Sequence, residues 1–227
     1  MKRTPIVFLG IVLLLFFTLF SRSIKQGGMK DLDFATTVKL QERIDHSSRL
    51  RLSRLTGEIM EGATFFASPM VSVIAIIIIT FIAGLRRKKW KLVALCIPII
   101  FALMIGAEIY GKSVVHHPAP PFFLLKNPTT VFPKYYVWEN FSYPSGHAAR
   151  AIFLALTSFF LFPISFSPKK RLWIFITLGG YVILISVSRI YLGHHWLSDV
   201  LAGLLLGAGS GLLTSALILP YNTKRNE

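Results

Sequence analysis

The chain has 227 residues, and 25 Lys and Arg against 10 Asp and Glu give it a formal charge of +15. Yet 53% of it is hydrophobic and only 15% is charged, too few polar residues to coat a basic globule of the nucleic-acid-binding kind. The same apolar content excludes disorder, and a single cysteine, Cys96, excludes a disulfide-stapled scaffold.

Six long uncharged runs follow in chain order: 5–20, 68–85, 92–110, 151–166, 172–187 and 200–220. Each is close to the ~17–25 residues a helix needs to cross a ~30 Å hydrocarbon layer. Glu108 is the one charge inside any of them. The reading is an all-α, polytopic bundle of six transmembrane helices forming a single membrane domain over 1–227. The first run follows Lys2 and Arg3 without a small-residue cleavage site, so it reads as an uncleaved anchor. Gly203 and Gly207 in the sixth run are spaced for a close helix crossing.

Between the first two runs lies a charged segment broken by Gly27 and Gly28. Beyond the break, Leu40, Ile44, Leu52, Leu55 and Ile59 recur at helical spacing. This predicts amphipathic helices on the outer membrane surface, or helices packed over the bundle mouth. Either way the segment is read as carrying no catalytic residue.

Charge sets the orientation. Lys2 and Arg3, the Arg86–Lys91 stretch, Lys169 to Arg171, and Lys224 with Arg225 hold twelve of the 25 basic residues and fall on one side. Short loops rich in Lys and Arg stay in the cytoplasm, so both termini are placed inside. The bulk of the charge thus implies membrane orientation and no nucleic-acid partner.

Residues capable of chemistry collect on the opposite side. His116, His117, His147, His194 and His195 fall in the second and third outer loops or at their borders, and only His46 lies elsewhere. His195 and Asp199 are four residues apart, so a helix beginning near His195 puts them on one face. A carboxylate there can hold one imidazole nitrogen and leave the other free as a nucleophile. Arg189 offers a planar fork for phosphate oxygens. In Pro144-Ser145-Gly146-His147, Gly146 lets backbone amides near a helix start approach an anion, Ser145 adds a donor, and His147 is left as a general acid. Lys112 supplies a second cation at the end of the third run. Singly, Asp199 could be only a helix cap and Lys112 only a snorkelling anchor or a partner for Glu108 one turn earlier. Tyr110, Tyr191 and Trp196 are assigned to an interfacial aromatic belt.

The chain resembles the type 2 phosphatidic acid phosphatase (PAP2) family of membrane lipid phosphatases, which shares its site with vanadium haloperoxidases. Two of the family's three motifs are complete: Pro144-Ser145-Gly146-His147, and Ser188-Arg189 with His195 and Asp199. The resemblance implies metal-independent hydrolysis of a lipid phosphate or pyrophosphate at the outer face, without a cofactor. His195 would form a phosphohistidine, Asp199 would orient it, and His147 would protonate the leaving group. Lys112, Arg189, Ser145 and Gly146 would hold the phosphoryl oxygens. The first motif departs, because Ala119-Pro120 stands where the family has Arg-Pro. Arg150, one turn beyond His147, and His117 are the two candidates to replace the missing cation. The substrate classes considered are undecaprenyl pyrophosphate, phosphatidylglycerol phosphate and phosphatidic acid. The apolar loop at 118–143, with Phe122, Phe123, Phe132, Tyr135, Tyr136 and Trp138, favours such a lipid. A phosphotransferase using the same intermediate, or a non-catalytic lipid-phosphate binder, is the alternative. The host is read as a bacterial plasma membrane with the site facing outward; oligomeric state stays open.

Overall fold

Apolar runs of this length can satisfy their backbone groups in lipid only as helices or closed barrels, and the computed structural model is helical. It describes residues 3–45, 50–86, 91–126, 140–161 and 166–219. The elements are α1 (Arg3–Lys25), α2 (Lys30–Asp45), α3 (Leu50–Phe65), α4 (Pro69–Arg86), α5 (Cys96–Val115), α6 (Gly146–Leu161), α7 (Pro168–Tyr191) and α8 (Leu197–Ile218). One-turn 3₁₀ segments precede α5 and occupy Phe122–Leu124. No strand forms among the described residues. His46, most of the Arg86–Lys91 stretch, Phe132 to Trp138 and the C-terminal Lys224 and Arg225 lie outside them.

Among the described residues, four helices are long and apolar enough to cross a membrane: α1, the Val93–Val115 helix, α7 and α8. A fifth span arises if the Ser53–Phe65 and Pro69–Leu85 helices, bent by 54° at their junction, count as one. The sixth apolar run becomes α8, buried along most of its length between α1 and α6. By contrast α1, α5 and α7 expose Phe8, Leu19, Leu103, Trp173 and Ile183, as lipid-facing helices do. The helix expected at 151–166 instead begins at Gly146 and ends at Leu161. Its 16 residues reach only about 24 Å. Its first turn is polar, but Gly146, Ala148, Ala149 and Arg150 are buried against neighbouring helices, so lipid never meets them.

Glycine sets the spacing at the centre of the bundle. A Cβ on Gly203 would lie 2.3 Å from the Ser145 carbonyl oxygen, and one on Gly207 would lie 2.2 Å from that of Ala149. The small-residue pattern read from the sequence therefore marks a true close crossing of α6 and α8. The α3–α4 bend frees backbone carbonyls inside the bundle, and side chains answer them. Arg150 Nε donates to Ala67 O at 3.1 Å and the Tyr181 hydroxyl to Phe66 O at 3.1 Å.

Between α1 and α4 the second of the two readings holds for α2. α2 lies over the bundle mouth with a polar face inward: Asp33, Thr37 and Gln41 are buried, while Leu32 and Phe34 are exposed. Gln41 Nε2 donates to Leu124 O and Tyr191 O, the latter a carbonyl at the end of α7. Of the apolar positions marked in α2, Leu40 does pack against the Ala148, Ile190 and Val200 cluster, but apolar spacing left out the buried polar stripe, whose side chains answer polar groups of the loops. Tyr191 is no belt residue. It is 4% exposed and donates to Asp45 Oδ1 at 3.0 Å.

Candidate active site

The site grows from the turn between α7 and α8. The backbone amides of His194 and His195 both donate to Arg189 O, at 3.1 and 3.2 Å, folding the chain back over the end of α7. Gly193 enables this turn. Its φ is +68°, and a Cβ there would lie 2.1 Å from Leu124 O. α8 then starts at Leu197, which puts Asp199 in its first turn, where Oδ2 accepts from the Trp196 amide at 2.9 Å. The helix-cap role and the role beside His195 therefore coexist in one carboxylate. His195 Nδ1 lies 3.6 Å from Asp199 Oδ2, an ion-pair distance beyond hydrogen-bond range. With Nδ1 turned to the carboxylate, Nε2 is the nitrogen left for chemistry.

The motif before α6 docks on this turn. Ser145 N donates to Asp199 O at 2.9 Å, locking the start of α6 to the first turn of α8. Ser145 is fully buried, and its Oγ has no hydrogen-bond partner among the described residues. An orphaned hydroxyl beside a helix start fits a donor awaiting an anion. His147 follows in the first turn of α6, within electrostatic reach of Arg189, Arg150, His194 and His195. His195 in turn lies within reach of Arg189 and Lys112. The fold thus gathers Lys112 of α5, Ser145 before α6, Gly146 and His147 of α6, Arg189 of α7, His195 of the α7–α8 turn and Asp199 of α8.

The two candidates for the missing cation each face a carboxylate. Arg150 Nη1 pairs with Glu108 Oε2 at 3.2 Å, both side chains nearly buried, and Nη2 lies 3.4 Å from His147 Nδ1. The guanidinium can only donate, so this contact favours Nδ1 as acceptor and leaves the ring proton on Nε2. Breaking a buried ion pair by removing one partner costs about 3–5 kcal/mol, which ties Arg150 to Glu108. His117 Nδ1 is 2.9 Å from Asp199 Oδ1. It faces the carboxylate of the dyad.

Residues that the sequence reading did not place in the site are Glu108, Ser198 and Asp33. Glu108 carried a signal, being the one charge in an apolar run. Its carboxylate rests on Gly146 so closely that a Cβ there would meet Oε1 at 1.9 Å, which explains glycine at that position as well as any anion does. Ser198 donates to Asp33 through both its amide, at 2.8 Å, and its hydroxyl, at 2.7 Å.

Burial holds the His195 imidazole below its usual range. The contact with Asp199 opposes this, while Arg189 and Lys112 add to it. A nucleophilic imidazole must be neutral, and lowering its pKa keeps it neutral to lower pH. The acid limb of kcat/KM is accordingly expected to fall below pH 6.5; a pH–rate profile with a limb clearly above that value would contradict the burial argument.

Comparison with known proteins gives the family. The model of the PAP2 superfamily matches residues 108–222. The chain belongs to the PAP2 superfamily. It is similar to the undecaprenyl-diphosphatase of Sulfolobus acidocaldarius, at 31% identity over 89% of this chain and 88% of that protein. It is also similar to phosphatidylglycerophosphatase B of Bacillus subtilis, at 25% identity over 87% and 88%. The crystal structure of the transmembrane PAP2 type phosphatidylglycerolphosphate phosphatase of B. subtilis superposes with a TM-score of 0.67, covering 90% of this chain and 93% of that one, at 24% identity. This PAP2 protein is therefore an integral membrane phosphatase, a hydrolase, and its helical fold is that of the family.

Proposed function

We propose that this PAP2 protein releases phosphate from a membrane lipid phosphate or diphosphate through a phosphohistidine on His195. The observation that carries the reading is that buried His195, Asp199 and the orphaned Ser145 hydroxyl meet the half-buried His147. Nε2 of His195 attacks phosphorus and forms a P–N bond as the P–O bond to the lipid breaks. His147, protonated to the imidazolium once the phosphate is bound, gives its Nε2 proton to the departing oxygen and is left as the neutral ring whose Nδ1 accepts from Arg150. Water, giving a proton back to His147, then attacks phosphorus, the P–N bond breaks, and phosphate leaves. Asp199 balances the charge gained by His195, and Lys112, Arg189, Ser145 and the Gly146 amide hold the phosphoryl oxygens. Each step moves a proton or a phosphoryl group without calling on a metal.

Lipid substrates suit the surroundings. Phe122 and Phe123 are exposed at 59% and 75% beside the site's loops, where apolar rings favour an acyl or isoprenyl chain over water. Phosphatidylglycerol phosphate and undecaprenyl diphosphate, substrates in the names of the relatives, lead the candidates. The charge distribution supports six spans with α6 as the fourth, cytoplasmic termini and an outward-facing site in a bacterial plasma membrane.

The test is phosphate release by the full-length protein in detergent micelles containing EDTA, with each lipid phosphate in turn. Release that persists with EDTA, and an acid-labile phosphoenzyme seen on rapid quench, are expected; activity that needs added metal, or no phosphoenzyme, would overturn the reading. Arg150 provides a second test. With its charge committed to Glu108, Arg150→Ala leaves a buried carboxylate unpaired beside His147 and is expected to lower kcat on the order of 10-fold or more. Lys126→Ala, at an exposed pair with Asp45, is expected to leave kcat unchanged. Equal small effects would remove Arg150 from the machinery.

A further inference from the structure

Asp199 has more partners than the imidazole it is expected to orient. Its Oδ2 is bound by the Trp196 amide, but its Oδ1 is bound by His117 Nδ1 at 2.9 Å. The opposite nitrogen of His117 lies 3.9 Å from Asp33 Oδ2. Asp33, in turn, is held by two donors of Ser198, the residue next to Asp199. We infer that His117, backed by Asp33 of α2, positions the Asp199 carboxylate for His195, so that a helix outside the membrane spans is a working part of the dyad. This rests on the phosphohistidine reading above and assigns to that site residues from which neither family motif is built.

The physical case is one of pinned geometry. A carboxylate bound at one oxygen can still swing about its last torsion. Donors on both oxygens fix its plane, and with it the direction in which Oδ2 faces His195. Although His117 and Asp33 also line a cavity of about 280 Å³ with Lys30, Phe34, Pro118, Pro121 and Trp196, His117 is itself held by its neighbours. Its carbonyl accepts from Ser142 N at 3.1 Å. Its ring meets Tyr143 edge-on, and the Tyr143 hydroxyl is 2.7 Å from that of Ser21. Exposures of 1% for Asp33, 6% for His117, 0% for Asp199 and 4% for His195 bury the array. Two carboxylates buried beside one imidazole are costly unless each is hydrogen-bonded, and here each is. Phosphate binding would need a ring nitrogen of His117 turned to the anion, whereas Nδ1 is engaged by Asp199 Oδ1 and Nε2 faces Asp33 Oδ2 at 3.9 Å.

The test uses the full-length protein with dioctanoyl phosphatidic acid as substrate and orthovanadate as a phosphate mimic. His117→Leu is expected to lower kcat about 10- to 100-fold, as loss of an outer partner of a catalytic group does, with KM and vanadate inhibition unchanged. His117→Asn places an amide N–H near the Nδ1 position and is expected to restore most of kcat. Asp33→Asn is expected to lower kcat in the same direction by less. In an Asp199→Asn background, His117→Leu should add no further loss. A higher KM and weaker vanadate inhibition with kcat retained would make His117 a phosphate ligand and overturn the inference. So would equal losses in both Asp199 backgrounds, or His117→Asn as impaired as His117→Leu when both remain folded. Should His117→Leu fail to fold, the Asn variants at 33 and 117 still decide it, because wild-type kcat in Asp33→Asn together with a raised KM in His117→Asn refutes positioning. Wild-type turnover by His195→Ala would instead sink the phosphohistidine reading, whatever His117 does.

Discussion

His195→Ala is expected to lower lipid-phosphate hydrolysis by at least about 10⁴-fold, with no phosphoenzyme detectable. The size follows from what is removed. A covalent route splits one difficult displacement into two easier ones, and losing the nucleophile forces water to attack a lipid phosphate unaided. What remains is binding and charge stabilisation by Lys112, Arg189 and the Ser145 turn, which in hydrolases with a disabled nucleophile still leaves about 10³–10⁴-fold over water. KM is expected to change little, because the phosphate-holding groups stay in place. The fold should survive as well. The turn that carries His195 is held by its backbone amide on Arg189 O and by Gly193, neither of which uses the imidazole. Asp199→Asn should cost less, since the nucleophile remains and only its orientation and charge balance suffer. Retention of substantial activity by folded His195→Ala would show that phosphorus is attacked by something other than this imidazole.

How far the sequence revealed the site depends on how far apart its parts lie in the chain. His195 and Asp199 are one helical turn apart, and Pro144 to His147 are contiguous, so spacing alone placed them. Gly203 and Gly207 were legible for the same local reason. What could not be read were partnerships across 82 residues for His117 and Asp199, 42 for Glu108 and Arg150, and 165 for Asp33 and Ser198. A sequence offers Arg150 as a cation near a phosphate; only the fold shows a carboxylate already beside it. The Asp33, Thr37 and Gln41 stripe did carry a signal, an i, i+4, i+8 polar face. It went unread because attention fell on the apolar spacing, although Leu40 does pack inward. In a membrane protein the rule that a helix turns its leucines inward weakens, because lipid accepts apolar side chains that water would reject.

Close packing of α8 against the start of α6 gives the second large expected effect. Gly203→Ala would bring a Cβ to 2.3 Å from Ser145 O, and this oxygen belongs to the backbone of the turn that starts α6. A flexible side chain could yield, but here α6 and α8 must move apart by roughly 1 Å to reach an ordinary contact. Overpacking of this kind costs about 1–3 kcal/mol, so the melting temperature in detergent should drop. Activity should suffer more than stability. Ser145 N is hydrogen-bonded to Asp199 O across that crossing, and His147 rides on α6 while Asp199 rides on α8. Shifting one helix separates the proton donor from the nucleophile, and a misplacement of about 1 Å can cost on the order of 10²-fold in rate. Gly106→Ala is the matched control. A Cβ on Gly106 meets nothing within 4 Å, and replacing a mid-helix glycine by alanine stabilises by about 0.5–1 kcal/mol, so this variant should keep full activity and melt no lower than the parent. If Gly203→Ala matched Gly106→Ala in both rate and melting, the crossing would not set the distance between the two histidines, and the alignment of His147 with His195 would have to come from the loops alone.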